Sequence, residues 1–316
     1  MTKSVTVQQA AEILRDAQDV WILTHRFPDG DTLGSAFALC RALRSLGKRA
    51  AVRSEKQLPI RYTYLWDGLE TQEFEPAFIC AVDVASSAQL GGLRELAERV
   101  SLGIDHHAVR EDFADNLLLD AEASAAAMPV LAVIRALGVV IDRSMAEGIY
   151  TGIATDTGCF RYTNTSQWTH MVAADMMAAG ARAGMINRLM FEIKSRARLE
   201  LERLALGGLR FYQEGRIAVM PVTQEILAAS GAEEDDLEGL TPLPRQIEGV
   251  WVGVTMRERA DGIFKVSLRT GERVDAAAIC AVLGGGGHVR AAGCEVTGTL
   301  DEAVDTMIAT ITTHWE

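Results

Sequence analysis

The chain has 316 residues, about twice the usual domain length, and it is 48% hydrophobic and 23% charged, so two globular domains with sizeable cores are expected. Its apolar runs fall short of the roughly 18 residues needed to cross a bilayer. The start, MTKSVTVQQAAEIL, holds no apolar core of signal-peptide length, so a cytoplasmic protein is expected. A net charge of −12 argues against a grip on long duplex nucleic acid, which calls for a basic face to neutralise phosphates.

In chain order, residues 7–17 read as an amphipathic helix and DVWILTH (19–25) as a buried strand. Residues 34–47 are helical by spacing and stop on Gly47. AFICAVDV (77–84) is a second buried strand, residues 93–96 lie in a helix, and RVSLGIDHH (99–107) is a third strand running into polar residues. Residues 124–138 and 145–155 are helices, the second leading into TDTGCFRYTNTS. This alternation predicts an α/β domain with a parallel sheet.

From residue 169 to about 206 the chain is almost all helix formers, and 190–204 reads as a connecting helix. Residues 216–222, 249–258 and 263–270 then look like strands, with helices at 274–283 and 300–311. That pattern predicts a smaller α+β domain with a mixed or antiparallel sheet. The expected division is therefore 1–185, a helical linker 186–206, and 207–316. The last segment holds 9 Lys and Arg against 17 Asp and Glu, so any nucleic-acid substrate should be short. Its acidic run 233–238 reads as a solvated loop or helix start. Cys40, Cys80, Cys159, Cys280 and Cys294 are scattered without a CxxC pair, as reduced core thiols are.

The chemistry concentrates where apolar strands end. THRFPDGDTLGS (24–35) directly follows a strand, and ligands in open α/β sheets gather at such ends. Its turn through Pro28 and Gly30 can aim His25, Asp29 and Asp31 at one point, an O/N donor set suited to Mn²⁺ or Mg²⁺. A tight turn with a helix cap would use the same Asp-Gly-Asp. Asp83 ends the second strand, Asp105, His106 and His107 end the third, and Asp156 follows a helix. Carboxylates gathered this way repel unless cations neutralise them, and so many donors suit two divalent ions.

These segments resemble the motifs of the DHH phosphoesterases. THRFPDGDTLGS is similar to the first motif, AVDVASS to the second, GIDHH (103–107) to the third and GIATDTGCFRYTNT to the fourth. GGGGHVRAAG (284–293) and VSLRT (266–270) are similar to the family's associated C-terminal domain. Departures exist: Ala108 stands where proline commonly follows the triplet, and Ala127 stands where the family helix carries glutamate.

The resemblance implies a metal-dependent phosphodiesterase or phosphatase with two ions, Mn²⁺ first and Mg²⁺ or Co²⁺ as substitutes. His25 and Asp29 would hold one ion, Asp31, His107 and Asp156 the other, with Asp83 bridging. A bridging hydroxide would attack phosphorus, His106 would donate to the scissile phosphate, and Asp105 would orient the histidines. The chain looks most like the bacterial branch that cleaves very short RNA and removes the 3′-phosphate of 3′-phosphoadenosine 5′-phosphate (pAp). Rival readings are an exopolyphosphatase or pyrophosphatase, a cyclic-dinucleotide phosphodiesterase, and a silent nucleotide-binding protein. The expected partner is a short oligonucleotide or small nucleotide, with no membrane; a homodimer is left open.

The glycine run 284–287 lets backbone N–H groups approach a phosphate, and without a following GK[ST] it predicts no ATP site. Arg269 and His288 are placed on the distal end of the substrate, with Ser267, Gly286, Gly287 and Arg290 beside them.

Overall fold

A computed structural model describes residues 2–237, 239–259 and 262–315, and the chain separates into two units, Met1–Ile193 and Lys194–Glu316. In the first unit the elements run β1 (Lys3–Ser4), α1 (Val7–Asp16), β2 (Val20–Leu23), α2 (Gly30–Ser45), β3 (Ala50–Arg53), β4 (Phe78–Val82), β5 (Val100–Asp105), β6 (Asn116–Leu119), α3 (Ala127–Ala136), α4 (Arg143–Asp156), α5 (Gln167–Ala178) and α6 (Ala183–Asn187). Among the described residues they build a six-stranded sheet of order β1-β6-β5-β4-β2-β3 with every pairing parallel. Parallel strands share one carboxyl edge, so the segments after Leu23, Val82 and Asp105 emerge side by side.

The sheet is covered by apolar helix faces. Ala10, Ala11 and Leu14 of α1 join Val130, Leu131 and Ile134 of α3 in one core with Ile22, Cys80 and Leu102 of the strands. Helices α2 and α4 cross at glycine: a Cβ on Gly34 would lie 2.2 Å from Gly148 O. That close crossing brings the start of α2 and the end of α4 together, and both ends carry carboxylates. The structure adds three short strands, β1, β3 and β6, that periodicity does not reveal, because pairing rather than intrinsic preference decides such segments. Residues 87–99 wind as 3₁₀ turns broken at Gly91 (φ 60°), not as an α-helix.

The expected continuous helix over 190–204 is interrupted. A π-helical turn occupies 188–192, Ile193 is extended, and Ser195 caps a new helix, α7 (Arg196–Gly207), by accepting from Arg198 N. A serine capable of capping competes with continuation through its own position.

The second unit continues with β7 (Arg210–Tyr212), β8 (Ile217–Val222), α8 (Gln224–Ser230), β9 (Val252–Glu258), β10 (Ile263–Thr270), α9 (Ala276–Val282), β11 (Gly286–His288), β12 (Ala291–Thr297) and α10 (Leu300–Thr313). Its sheet, of order β11-β12-β10-β9-β8-β7 among the described residues, is mixed: β8 and β9 pair in parallel and the other pairs are antiparallel. Strand alternation points Phe264, Val266 and Leu268 into a core with Ile279 of α9 and Val304, Met307 and Ile311 of α10. In the acidic run, residues 234–237 form a 3₁₀ turn and Asp236 accepts from Ser195 Oγ (2.6 Å), while Glu238 lies outside the described residues. The five cysteines are free thiols, and no helix among the described residues is long and apolar enough to cross a membrane.

Candidate metal centre

The loop after β2 serves both roles that its sequence allows. Asp29 Oδ1 caps α2 by accepting from Asp31 N (3.0 Å) and Thr32 N (3.1 Å), and it also lies 3.7 Å from His25 Nε2. Asp31 therefore sits in the first turn of α2, buried to 1% exposure. Ser35 Oγ donates to its Oδ1 (3.1 Å), and the N–H groups of Ala126 and Ala127 donate to its two oxygens at 2.6 and 2.9 Å. The start of α3 thus holds the Asp31 carboxyl with backbone N–H groups.

Thr32 Oγ1 donates to Val82 O (2.9 Å), fastening α2 to the end of β4. Beyond that end Asp83 takes a left-handed conformation (φ 59°), which aspartate tolerates better than most residues. Its carboxylate is 4% exposed, and Oδ1 has no hydrogen-bond partner among the described residues. At the end of β5, Asp105 Oδ1 accepts from His106 N (2.8 Å), His107 N (3.2 Å) and His107 Nδ1 (2.8 Å), with Arg110 Nε 3.6 Å from its other oxygen.

The two histidines end up in different situations. His106 Nδ1 is 3.1 Å from Ala123 O, which makes it a donor and turns Nε2 inward. That Nε2 lies 3.9 Å from Asp31, 3.6 Å from Asp83 and 3.5 Å from Asp156. His107 has its Nδ1 committed to Asp105 and only 3.6 Å from Asp83. Asp156 is the last residue of α4 rather than part of a loop, held beside Gly30 by Thr155.

These residues form three overlapping donor sets within 4.8 Å: His25, Asp29 and Asp83; Asp31, His106 and Asp156; and Asp83, His106 and His107. Burial pushes the Asp83 carboxyl well above its ordinary value, and the negative charges of Asp31, Asp29, Asp156 and Asp105 add to the effect. Burial, with Asp31 and Asp29, pushes Asp156 up to about 9, and burial also raises Asp31. The Asp105 hydrogen bond raises the His107 imidazole. Buried, mutually repelling carboxylates with imidazoles among them, and an Asp83 oxygen without a hydrogen bond among the described residues, fit a cationic guest. O/N donors of this kind suit hard divalent ions. A cavity of about 360 Å³ opens over the cluster, with Arg26, Phe27 and Gln89 on its wall beside the acidic residues. Sequence reading missed these three and Arg110; Phe27, an aromatic inside an otherwise polar loop, was the available signal.

In the second unit, strand register gathers most of the residues expected to meet substrate. Ser267 and Gly286 both flank Gly293, and Arg269 and His288 both flank Ala291, so the four lie on one face of three adjacent strands. Half-buried Ser267 and Arg269 alternate there with buried neighbours. The glycine run is not a free loop: a Cβ on Gly285 would lie 2.2 Å from Gly293 O, and one on Gly287 2.6 Å from Ala291 O. Arg290 does not join the face, since its guanidinium donates to Gly271 O (2.5 Å) and Val274 O (3.3 Å).

Comparison with known proteins finds relatives of both units. Residues 19–153 match the DHH family, N-terminal domain, and residues 216–313 match the DHHA1 domain. The chain is 34% identical over 307 residues to the bifunctional oligoribonuclease and PAP phosphatase NrnA of Thermus thermophilus, covering 95% of this chain and 92% of that protein. An exopolyphosphatase-related protein from Bacteroides fragilis superimposes with a TM-score of 0.88 at 25% identity, over 97% of this chain and 95% of the other. RecJ of Thermus thermophilus, in complex with Mn²⁺, shares the fold at a TM-score of 0.53 and 17% identity, over 97% of this chain and 54% of that one. The chain belongs to the DHH phosphoesterase family, with a DHHA1 domain after its DHH domain.

Proposed function

We propose that this protein is a Mn²⁺-dependent cytoplasmic phosphoesterase that hydrolyses very short RNA and removes the 3′-phosphate of pAp. The observation that carries the reading is the buried acidic cluster at one sheet edge, where three donor sets are linked through Asp83, common to two of them, and His106, common to two. The activity of the Thermus relative names the substrate class, and the shortage of cations in residues 207–316 favours a short substrate over a long one.

In this reading His25, Asp29 and Asp83 hold one ion, and Asp31, Asp83, His106 and Asp156 hold the other. When bound, the pair supplies charge neutralisation at the phosphate and Lewis acidity toward the attacking water. The resemblance gave the ligand role to His107 and the donor role to His106, and we propose the exchange. His106 Nε2 faces three carboxylates, whereas His107 Nδ1 is held by Asp105, whose hydrogen bond raises the imidazole. An imidazole whose protonated form is favoured by a carboxylate suits a donor to a phosphoryl oxygen, and one whose free nitrogen faces several carboxylates suits a metal ligand. Asp105 orients His107 and stabilises its charge, while Asp31 is kept in place by the N–H groups of α3.

Ser267, Arg269, Gly286, Gly287 and His288 recognise the rest of the substrate. Arg269 supplies a planar fork for phosphate, and the glycines leave room for close approach. Arg290 instead holds the 271–274 loop. Arg269→Ala and His288→Ala are each expected to raise KM about tenfold, the worth of one charge-assisted hydrogen bond. Unchanged KM in both variants would remove the second unit from substrate recognition.

The test of the function is product release from pAp, a ribodinucleotide and pyrophosphate by metal-stripped protein before and after Mn²⁺ is added. Release from pAp or the dinucleotide, with metal only, is expected. Turnover of pyrophosphate alone would overturn the reading in favour of a pyrophosphatase.

A further inference from the structure

Phe27 stands between His25 and Asp29, on the wall of the cavity over the acidic cluster. Its ring is 54% exposed. A single exposed aromatic is unremarkable in itself. The surroundings of this one are specific. The Arg26 guanidinium lies 4.7 Å from its ring centroid and the Lys56 ammonium also 4.7 Å, so two cations converge on one ring in a chain of net charge −12.

The backbone that carries the ring is pinned. Arg26 N donates to Gln89 O (2.7 Å), and Gln89 Oε1 in turn accepts from Ala85 N (2.7 Å) and Ser86 N (3.3 Å), next to Asp83. Pro28 follows, which confines Phe27 to extended backbone. The ring is therefore presented at a fixed place beside the metal-binding residues while its face stays accessible to long, exposed cationic side chains.

We propose that Phe27 is the stacking platform for a nucleobase of the substrate, and that Arg26 and Lys56 pair with the phosphate attached to that nucleotide. This rests on the nucleotide reading above and deepens it by assigning a base subsite. Without substrate the cations lie over the ring. A cation over an exposed ring is held more weakly than a stacked base, so the base displaces it and the released cation gains a phosphate oxygen. Stacking tolerates any base, so the subsite accepts short RNA without sequence preference.

The experiment is steady-state kinetics of the full chain with Mn²⁺ on 5′-phosphorylated diadenylate and on the same sugar-phosphate lacking both bases. Phe27→Ala is expected to raise KM for diadenylate about tenfold, with little further penalty on the base-free compound, and Phe27→Trp to restore it. Lys56→Ala is expected to raise KM on both compounds alike. Unchanged KM for diadenylate in Phe27→Ala, or an equal rise on both compounds, overturns the base subsite while leaving the nucleotide reading intact. Unchanged KM on both in Lys56→Ala overturns the phosphate pairing. A wild-type protein inactive on diadenylate overturns the short-RNA part of the nucleotide reading, and the subsite with it.

Discussion

Asp83→Ala is expected to abolish turnover, by about 10³-fold or more, because the residue is shared between two of the donor sets. Charge stabilisation by a bound ion is worth several kcal/mol at the transition state, and each ~1.4 kcal/mol is tenfold in rate. The same side chain has the opposite effect on the metal-free fold. It is a buried carboxylate pushed up by burial and by four neighbouring carboxylates, and one of its oxygens has no partner among the described residues. Asp83→Asn is therefore expected to be inactive yet more stable than wild type without metal.

The pH dependence follows. A carboxyl whose folded pKa is raised binds more protons folded than unfolded, so its contribution to stability is lost as pH rises toward the folded value. For Asp156 that window runs from the ordinary 3.8 to about 9. The metal-free melting temperature is expected to fall between pH 5 and pH 9, less so in Asp83→Asn, and Mn²⁺ should remove the fall. Thermal unfolding at the two pH values, with and without Mn²⁺, measures this. A melting temperature in metal-free protein that stays flat or rises would contradict the electrostatic account.

The two histidines give the second large effect. His106→Ala is expected to weaken Mn²⁺ binding by at least about 100-fold, since it removes a donor and leaves its carboxylate neighbours unbalanced. His107→Ala should keep Mn²⁺ and lower kcat by about 10² to 10⁴, the range for loss of a positioned proton donor. Mn²⁺ titration and kcat for the two variants separate the roles. Metal loss in His107→Ala with retention in His106→Ala would return the assignment to the one implied by family resemblance.

What the sequence disclosed depended on how local each cause was. Asp83 and Asp105 were legible because a carboxylate directly after a buried apolar strand has to be placed at the strand's end. Asp29 was legible as a cap and as a donor, and it acts as a cap while facing His25. The orientation of the His106 ring was hidden because Ala123 O, distant in sequence, selects which nitrogen turns inward. Asp31 was read in a loop, yet it lies on a helix and is held by Ala126 and Ala127, contacts that no pattern around Asp31 reveals. The glycine run was read for the backbone access it gives a phosphate, and the close approach of Gly285 and Gly287 to β12 was not legible because the partner strand is set by pairing. The alternation of buried strands with helices, by contrast, predicted the α/β and α+β units before any contact was known, because apolar periodicity survives where short edge strands are missed.

The most direct test of the account is the number of Mn²⁺ ions bound per chain by metal-stripped protein, read by titration calorimetry together with electron paramagnetic resonance. Two ions per chain, magnetically coupled and both lost in Asp83→Ala, is the predicted result. A single uncoupled ion, or two that survive the loss of Asp83, would contradict it.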